Sequence, residues 1–235
     1  MIAVEILEER IFHIRICRPE KRNALGVADY EQLAGALNDI GDAAVVVLSS
    51  EGNVFCAGND LAEFSTEWPQ PKNGPIVRFL TALSNVPVPV IAIVQGPAVG
   101  IGATMLLHCD IVIAGRDASL RYPFVSLGLA PEGASSLLLP QTIGRQRAME
   151  LLLTGRAISA DEAVTLGLVT FIGKSADLMQ EGMVLAGTIG NYPRAAVVAT
   201  KTLLLGPSRS TVEHCFELEI ETINELILQS SSASL

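Results

Sequence analysis

Three short apolar runs constrain this chain most: Ala44-Val-Val-Val-Leu-Ser49, Val88-Pro-Val-Ile-Ala-Ile-Val94 and Asp110-Ile-Val-Ile-Ala114. Each lacks the apolar/polar alternation of a strand with one wet face, so each reads as a strand covered on both sides. Helical patterns lie between them. One runs from about Ala28 to Ile40 and places Tyr30, Leu33, Ala34, Leu37 and Ile40 on one face. Strands alternating with helices imply parallel βαβ connections, with the helices outside the sheet. Upstream, residues 2–7 and 10–17 read as a hairpin around Glu8-Glu9. After Thr154 the pattern turns mostly helical, through Ala160–Leu166, Leu178–Ile189, Ala195–Leu205 and Val212–Leu228, with a short apolar segment at Leu168–Ile172. The expected fold class is α/β: a βα core over residues 1–190, then a helical segment over 191–235 of the same domain.

Composition excludes several classes of function. A chain of 235 residues with 49% hydrophobic and 17% charged residues buries a substantial core and is not disordered. Its net charge of −9 opposes general nucleic-acid binding, which needs a basic surface against phosphates. The cysteines, Cys17, Cys56, Cys109 and Cys215, are widely spaced and form no CxxC pair, so no zinc site, other metal site or dithiol motif is expected, and they read as reduced thiols. The segment Met1-Ile-Ala-Val-Glu-Ile-Leu-Glu-Glu-Arg10 lacks the basic start of a signal peptide. Gly, Pro or charge breaks every apolar stretch before the roughly 20 residues of a membrane helix. A soluble, cytoplasmic protein without a membrane partner is expected. The last residues, Ser232-Ala-Ser-Leu235, do not match the Ser-Lys-Leu peroxisomal address.

Two glycine-rich turns follow buried strands: Phe55-Cys-Ala-Gly-Asn-Asp-Leu61, and Gln95-Gly-Pro-Ala-Val-Gly-Ile-Gly-Ala-Thr104, which opens a helical run to His108. Glycine lets backbone approach a ligand, and the first N–H groups of a helix have no internal acceptor. Two such turns converging at strand ends supply paired donors, an oxyanion hole; tight helix–strand packing explains each turn taken singly. Neither is a dinucleotide or P-loop motif, because Met105 stands where the former needs Gly or Ala. There is no GxSxG elbow. His108 reads as a core or boundary histidine, and His214 as an exposed one on an amphipathic helix.

Glu132 lies between Pro131 and Gly133 in an otherwise apolar stretch from Phe124 to Leu139. A carboxylate in apolar surroundings has a raised pKa and is a stronger base near neutrality. The competing reading is an acid at a helix N-terminus, since Pro131 and Ser135-Ser136 resemble a turn into a helix. The residues alone favour the helix-terminal reading by a narrow margin.

At these same residues the sequence resembles the crotonase, or enoyl-CoA hydratase/isomerase, family, nearly collinearly from Met1 to about Leu228. The likeness rests on Arg18-Pro-Glu-Lys-Arg-Asn-Ala-Leu25, Phe55–Leu61, Gly96-Pro-Ala-Val-Gly100, Cys109–Ala114, Thr154-Gly-Arg156 and Ala160–Val169. It implies the crotonase (ClpP-like) fold, a βα spiral, and enolate chemistry on an acyl-CoA thioester. Coenzyme A then belongs to the substrate, and no separate cofactor is implied. The family's oxyanion donors fall on the N–H groups of Asn59 and Ile101, and Asp60 organises the first turn. The substrate contacts implied are Ala57, Gly58, Asp60 and Leu61 around the first turn, with Gly100, Thr104 and Phe124 beyond it. Lys21, Arg22, Ala24 and Leu25 fall on the loop that lies along CoA in the family.

Hydratases of this family use two glutamates, at the positions of Thr104 and Phe124; neither acid is present. The segment Tyr122-Pro-Phe-Val-Ser-Leu-Gly-Leu-Ala-Pro-Glu-Gly-Ala-Ser-Ser136 instead resembles the peroxisomal-type Δ3,Δ2-enoyl-CoA isomerases, in which the Glu of Pro-Glu-Gly is the base. The resemblance thus implies isomerisation with Glu132 as proton shuttle, in a homotrimer or dimer of trimers. Another enolate reaction on an acyl-CoA, with a pocket shaped by Phe64, Trp68 and the loop at 65–75, and a non-catalytic acyl-CoA binder are the alternatives. Relatives usually extend into one more helix that completes the adenine end of the CoA site; after Gln229-Ser-Ser-Ser-Ala-Ser that helix is either absent or left out of the sequence.

Overall fold

Strands without polar alternation need cover on both faces, and the structure, a computed structural model that describes residues 1–63, 68–174, 177–206 and 209–232, supplies it. Strands β1 (Ile2–Leu7) and β2 (Ile11–Ile16) pair as an antiparallel hairpin. Strands β3 (Val45–Ser50), β4 (Val90–Val94), β6 (Ile111–Ala114) and β9 (Phe171–Ile172) extend it in parallel, giving the order β1-β2-β3-β4-β6-β9. The register sets Val46 beside Val90 and Ile91 beside Ile111. Val46, Leu48, Val90 and Ala92 face the main core with Leu33 of α1 (Val27–Asn38) and Phe79 of α2 (Pro75–Asn85). Val45, Val47, Ile91 and Ile93 face the other way, against Ala186 of α7 (Leu178–Gly190). Burying each such side chain contributes roughly 1.5–3 kcal/mol.

The run at 88–94 enters the sheet only at Val90, because Pro89 has no N–H for the ladder, although its carbonyl accepts from Val46 at 2.9 Å. The segment at Leu168–Ile172 contributes only Phe171–Ile172. A second sheet of three strands, β5 (Ala98–Val99), β7 (Ser119–Arg121) and β8 (Ala157–Ser159), has no counterpart in the sequence reading. Pieces of two or three residues are too short to show a period. The short helix α3 (Ile101–Thr104) follows β5, and α4 (Ser135–Ile143), α5 (Arg145–Thr154) and α6 (Ala160–Thr165) come before β9.

The C-terminal helices α8 (Arg194–Leu205) and α9 (Arg209–Ser232) pack onto this core. Val212, Phe216 and Ile220 of α9 join the main apolar cluster. Buried Lys201 donates to Asp110 at 2.6 Å and to the Val88 carbonyl at 2.9 Å, tying α8 to the sheet. Asn224 and Gln70 exchange two hydrogen bonds, which fasten the 68–75 loop to α9. The four cysteines are free thiols. Among the described residues no helix is long and apolar enough to cross a membrane.

One close approach sets the geometry of the site. A Cβ on Gly102 would lie 2.5 Å from the Cys56 carbonyl oxygen, so only glycine lets α3 sit against the first turn. Gly102→Ala is expected to cost about 1–3 kcal/mol through overpacking, a fall of roughly 2–4 °C in Tm per kcal/mol. Gly35→Ala, on α1 with nothing within 4 Å of a new Cβ, should instead raise Tm through better helix propensity. Thermal unfolding of both variants checks the pair, and a neutral Gly102→Ala would contradict the packing argument.

Candidate active site

The two glycine turns meet. Gly58 and Gly100 both take left-handed backbone, with φ of 104° and 57°. A Cβ on Gly58 would stand 3.2 Å from the Val99 carbonyl oxygen, and one on Gly100 3.9 Å from the Gly58 Cα. The Val99 N–H donates to the Cys56 carbonyl at 2.9 Å, locking the turns side by side. On the outer side of the first turn, Leu25 accepts from the Asp60 N–H and donates to the Gly58 carbonyl, both at 2.8 Å. That parallel bridge leaves the Asn59 N–H pointing away from Leu25. Among the described residues neither the Asn59 nor the Ile101 N–H donates to a protein acceptor. The latter is the first N–H of α3, which has no partner within its helix.

Both turns border a cavity of about 440 Å³, whose lining includes Ala57, Gly58, Asn59, Leu61, Gly100, Phe124 and Glu132. Glu132 is 3% exposed, and its Oε1 has no hydrogen-bond partner. Burial pushes its carboxyl up to about 8, the nearby Glu219 carboxylate adds to the rise, and the Asn59 side-chain amide opposes it. The Asn59 Oδ1 accepts from the Tyr30 hydroxyl, which turns the amide nitrogen toward Glu132. Burial, and next the Glu132 charge, hold Tyr30 well above its usual range, so it acts as a neutral donor. Glu132 is not the acid of a helix N-terminus: α4 begins three residues later, at Ser135.

Asp60 is buried, pairs with Arg18 at 3.0 Å and Lys21 at 3.9 Å, and accepts from the Ala62 N–H at 3.1 Å. It holds the turn and faces away from the cavity lining. Arg22 receives the Ala57 N–H on its carbonyl at 3.0 Å, and Ala24 receives Arg18 at 3.1 Å. Lys21, Arg22, Ala24 and Leu25 therefore lie behind the first turn, and none of them lines the cavity. Thr104, expected as a substrate contact, is fully buried instead. A Cβ on Gly133 would meet its Oγ1 at 2.8 Å, so it supports the Glu132 turn from below. Phe64 and residues 65–67 lie outside the described residues, whereas Trp68 lines the cavity.

The sequence reading missed several neighbours. Arg121 stands just before the segment Tyr122–Ser136, and Leu127 and Leu129 lie within it, in the apolar stretch around Glu132. Ile223 and Glu219 come from α9, about ninety residues away, with no local mark of a site. A larger groove of about 520 Å³ lies beside α8, but its Lys201 is committed to Asp110 and Val88. Among the described residues no His/Cys/Asp/Glu cluster suits a metal ion.

The raised Glu132 carboxyl has a stability consequence. Below its ordinary value of 4.5 both folded and unfolded chains are protonated, and the full stability is present. As pH rises through about 8, the unfolded chain has released a proton that the folded chain holds, so stability is lost. Glu132→Gln, with no proton to lose, should gain on wild type over that window by on the order of a few kcal/mol. Denaturant unfolding from pH 4 to 9 measures the difference, and a difference independent of pH would refute the assignment.

Comparison with known proteins agrees with this geometry. The profile of the enoyl-CoA hydratase/isomerase family matches residues 7–234. Testis-specific chromodomain protein Y 2 of Homo sapiens is 29% identical over 218 residues, 89% of this chain and 40% of that protein. Enoyl-CoA delta isomerase 2 of Homo sapiens is 32% identical over 206 residues, 84% of this chain and 52% of that protein. The chain thus spans about half, or less, of the length of these two relatives. A crystal structure of an enoyl-CoA hydratase/isomerase from Pseudoalteromonas atlantica T6c superposes with a TM-score of 0.90 at 36% identity, over 96% of this chain and 91% of that one. A parallel sheet feeding two abutting glycine turns, a cavity beside them and a match over nearly the whole chain together lead to one conclusion: this chain belongs to the enoyl-CoA hydratase/isomerase family and has its crotonase fold.

Proposed function

We propose that the protein isomerises a 3-enoyl-CoA thioester to the trans-2-enoyl-CoA. The observation that carries this reading is Glu132: a buried carboxylate with an unpartnered oxygen, in the cavity that two converging turns border. The thioester carbonyl oxygen accepts the Asn59 and Ile101 N–H groups, which makes the C2 proton acidic. Glu132 removes that proton, the electrons delocalise into a dienolate, and the same carboxyl returns the proton at C4 as the double bond moves. A base near 8 suits both halves of the shuttle, because it takes and gives a proton at little cost near neutral pH. Leu61, Trp68, Leu127, Leu129 and Ile223 would contact the acyl chain. Lys21 and Arg22, on the outer side of the first turn, would meet the phosphates of CoA.

A second carboxylate beside Glu132 invites a hydratase reading, in which two acids activate water. Glu219 does not suit that role, since both its oxygens accept from N–H groups of residues 134 and 136. Nor does the cavity lining place an acid at Phe124, and Thr104 is a hydroxyl turned away from the cavity.

Purified protein with 3-hexenoyl-CoA tests the proposal. Wild-type kcat/KM should climb with pH to a plateau above about 8, since the ionised form is the base. Glu132→Gln should lose about 10²–10⁴-fold in kcat, and crotonyl-CoA hydration should stay at background. Equal turnover by the two proteins would rule Glu132 out as the base. Ile101→Pro removes one oxyanion donor at the first helical position, where proline is best tolerated. It should cost about 10²–10³-fold in kcat, whereas Ile101→Val, which keeps the N–H, should stay near wild type; similar losses in both would count against the donor.

A further inference from the structure

The helix that starts beside Glu132 has no acid in its own first turn. It is entered through two left-handed residues, Gly133 at φ 69° and Ala134 at φ 54°. The second is an unfavourable conformation for a residue with a Cβ, and it persists only where its surroundings impose it. The imposing group is Glu219 of α9. One of its oxygens accepts the Ala134 N–H at 2.6 Å, and the other accepts the Ser136 N–H at 3.0 Å and the Ser136 hydroxyl at 2.6 Å. Burial raises the Glu219 carboxyl above its ordinary range, and the donors on both oxygens, at the positive end of a helix, oppose that rise. Two more contacts complete the hold: His108 Nε2 donates to the Gly133 carbonyl at 2.8 Å, and the Ser135 hydroxyl to the Glu132 carbonyl at 2.7 Å.

We propose that Glu219 is a positioning residue for Glu132: by occupying the N–H groups at the start of α4, it fixes the turn that leaves the Glu132 side chain in the cavity with a free oxygen. The inference rests on Glu132 being the reactive carboxylate. Glu219 also opposes ionisation of Glu132, because a second negative charge in a dry site disfavours the first. Apart from Arg121, which lines the same cavity and donates to the Gly155 carbonyl at 2.6 Å, the titratable groups packed around the pair are neutral near pH 7. Burial raises Tyr30, Cys56 and Cys215 and pushes His108 down to about 4. Glu219 is therefore the acid that both shapes the turn of the base and adds to the rise that burial gives it.

The test compares wild type, Glu132→Gln, Glu219→Gln and Glu219→Asp in the full chain. Infrared titration follows the Glu132 carboxyl band, identified as the one that Glu132→Gln loses, and kcat on 3-hexenoyl-CoA is measured across pH in parallel. Glu219→Gln removes the charge and one acceptor. It should move the Glu132 midpoint down by about one pH unit or more and lower the plateau kcat about tenfold. Glu219→Asp keeps the charge with a shorter reach, so it should hold the midpoint near wild type while still losing kcat. A group that merely stabilised the fold would shift Tm and leave the titration where it was. An unmoved midpoint in Glu219→Gln overturns the proposal, whatever the activity. If the midpoint moves but even the wild type turns over no 3-enoyl-CoA, the isomerase reading fails and the role of Glu219 stands. Should Glu219→Gln not fold, Ser136→Ala, which removes one of its four donors, carries the test with Glu219→Asp; wild-type kcat and midpoint in both would overturn it.

Discussion

A carboxylate stays dry only if something other than its own hydrogen bonds holds it in place. Every donor that fixed Glu132 directly would lower its proton affinity and weaken it as a base. The structure meets this constraint by clamping the backbone around Glu132 and leaving its side chain nearly alone. His108, Glu219 and the Ser135 hydroxyl take the polar groups of residues 132–136, and among the described residues the Asn59 amide tempers the carboxyl itself. The cost of desolvating Glu132 is offset by the apolar burial of the two-sided sheet and its helices, where single side chains contribute comparable amounts.

The electrophilic half of the site depends on close approach. Gly58 and Gly102 let two loops touch where a Cβ would crowd the neighbouring backbone, so the Asn59 N–H, at the cavity wall, and the Ile101 N–H, at the start of α3, lie on adjoining turns. Backbone donors carry no side-chain requirement of their own. That explains why Asn59 can spend its side chain on Tyr30 and Glu132, and why Ile101 can bury its side chain in the core while its N–H stays free. Asp60 completes the arrangement from behind, where Arg18 and Lys21 pair with it and the Ala62 N–H donates to it.

The C-terminal helix α9 belongs to this chemistry as much as the sheet does. Ile223 walls the cavity, Asn224 secures the loop that carries Trp68, and Glu219 anchors the turn of the base. The division between a βα core and a trailing helical segment describes the order of the chain but not the site, which draws on both.

Much of the fold was legible because its signals are local. An unbroken, mostly β-branched run such as Val45–Leu48 reads as a strand buried on two faces, and glycines after strands announce tight turns. The position of Glu132 in an apolar stretch, beside Pro131 and Gly133, was legible for the same reason. What the chain order could not reveal depends on pairs far apart in sequence. Whether Glu132 caps a helix or faces a cavity was open until Glu219, on α9, took the cap. Thr104 read as a substrate contact until Gly133 was found resting on it. Lys21 and Arg22 sit behind the first turn rather than in the cavity, and the strands at Ala98–Val99 and Ala157–Ser159 exist only because β7 lies between them. The sequence by itself determined which segments are buried and which turns are tight, because periodicity and glycine act over a few residues. Only the tertiary structure decided which carboxylate stays free, because that depends on which groups distant segments bring to the same few N–H donors.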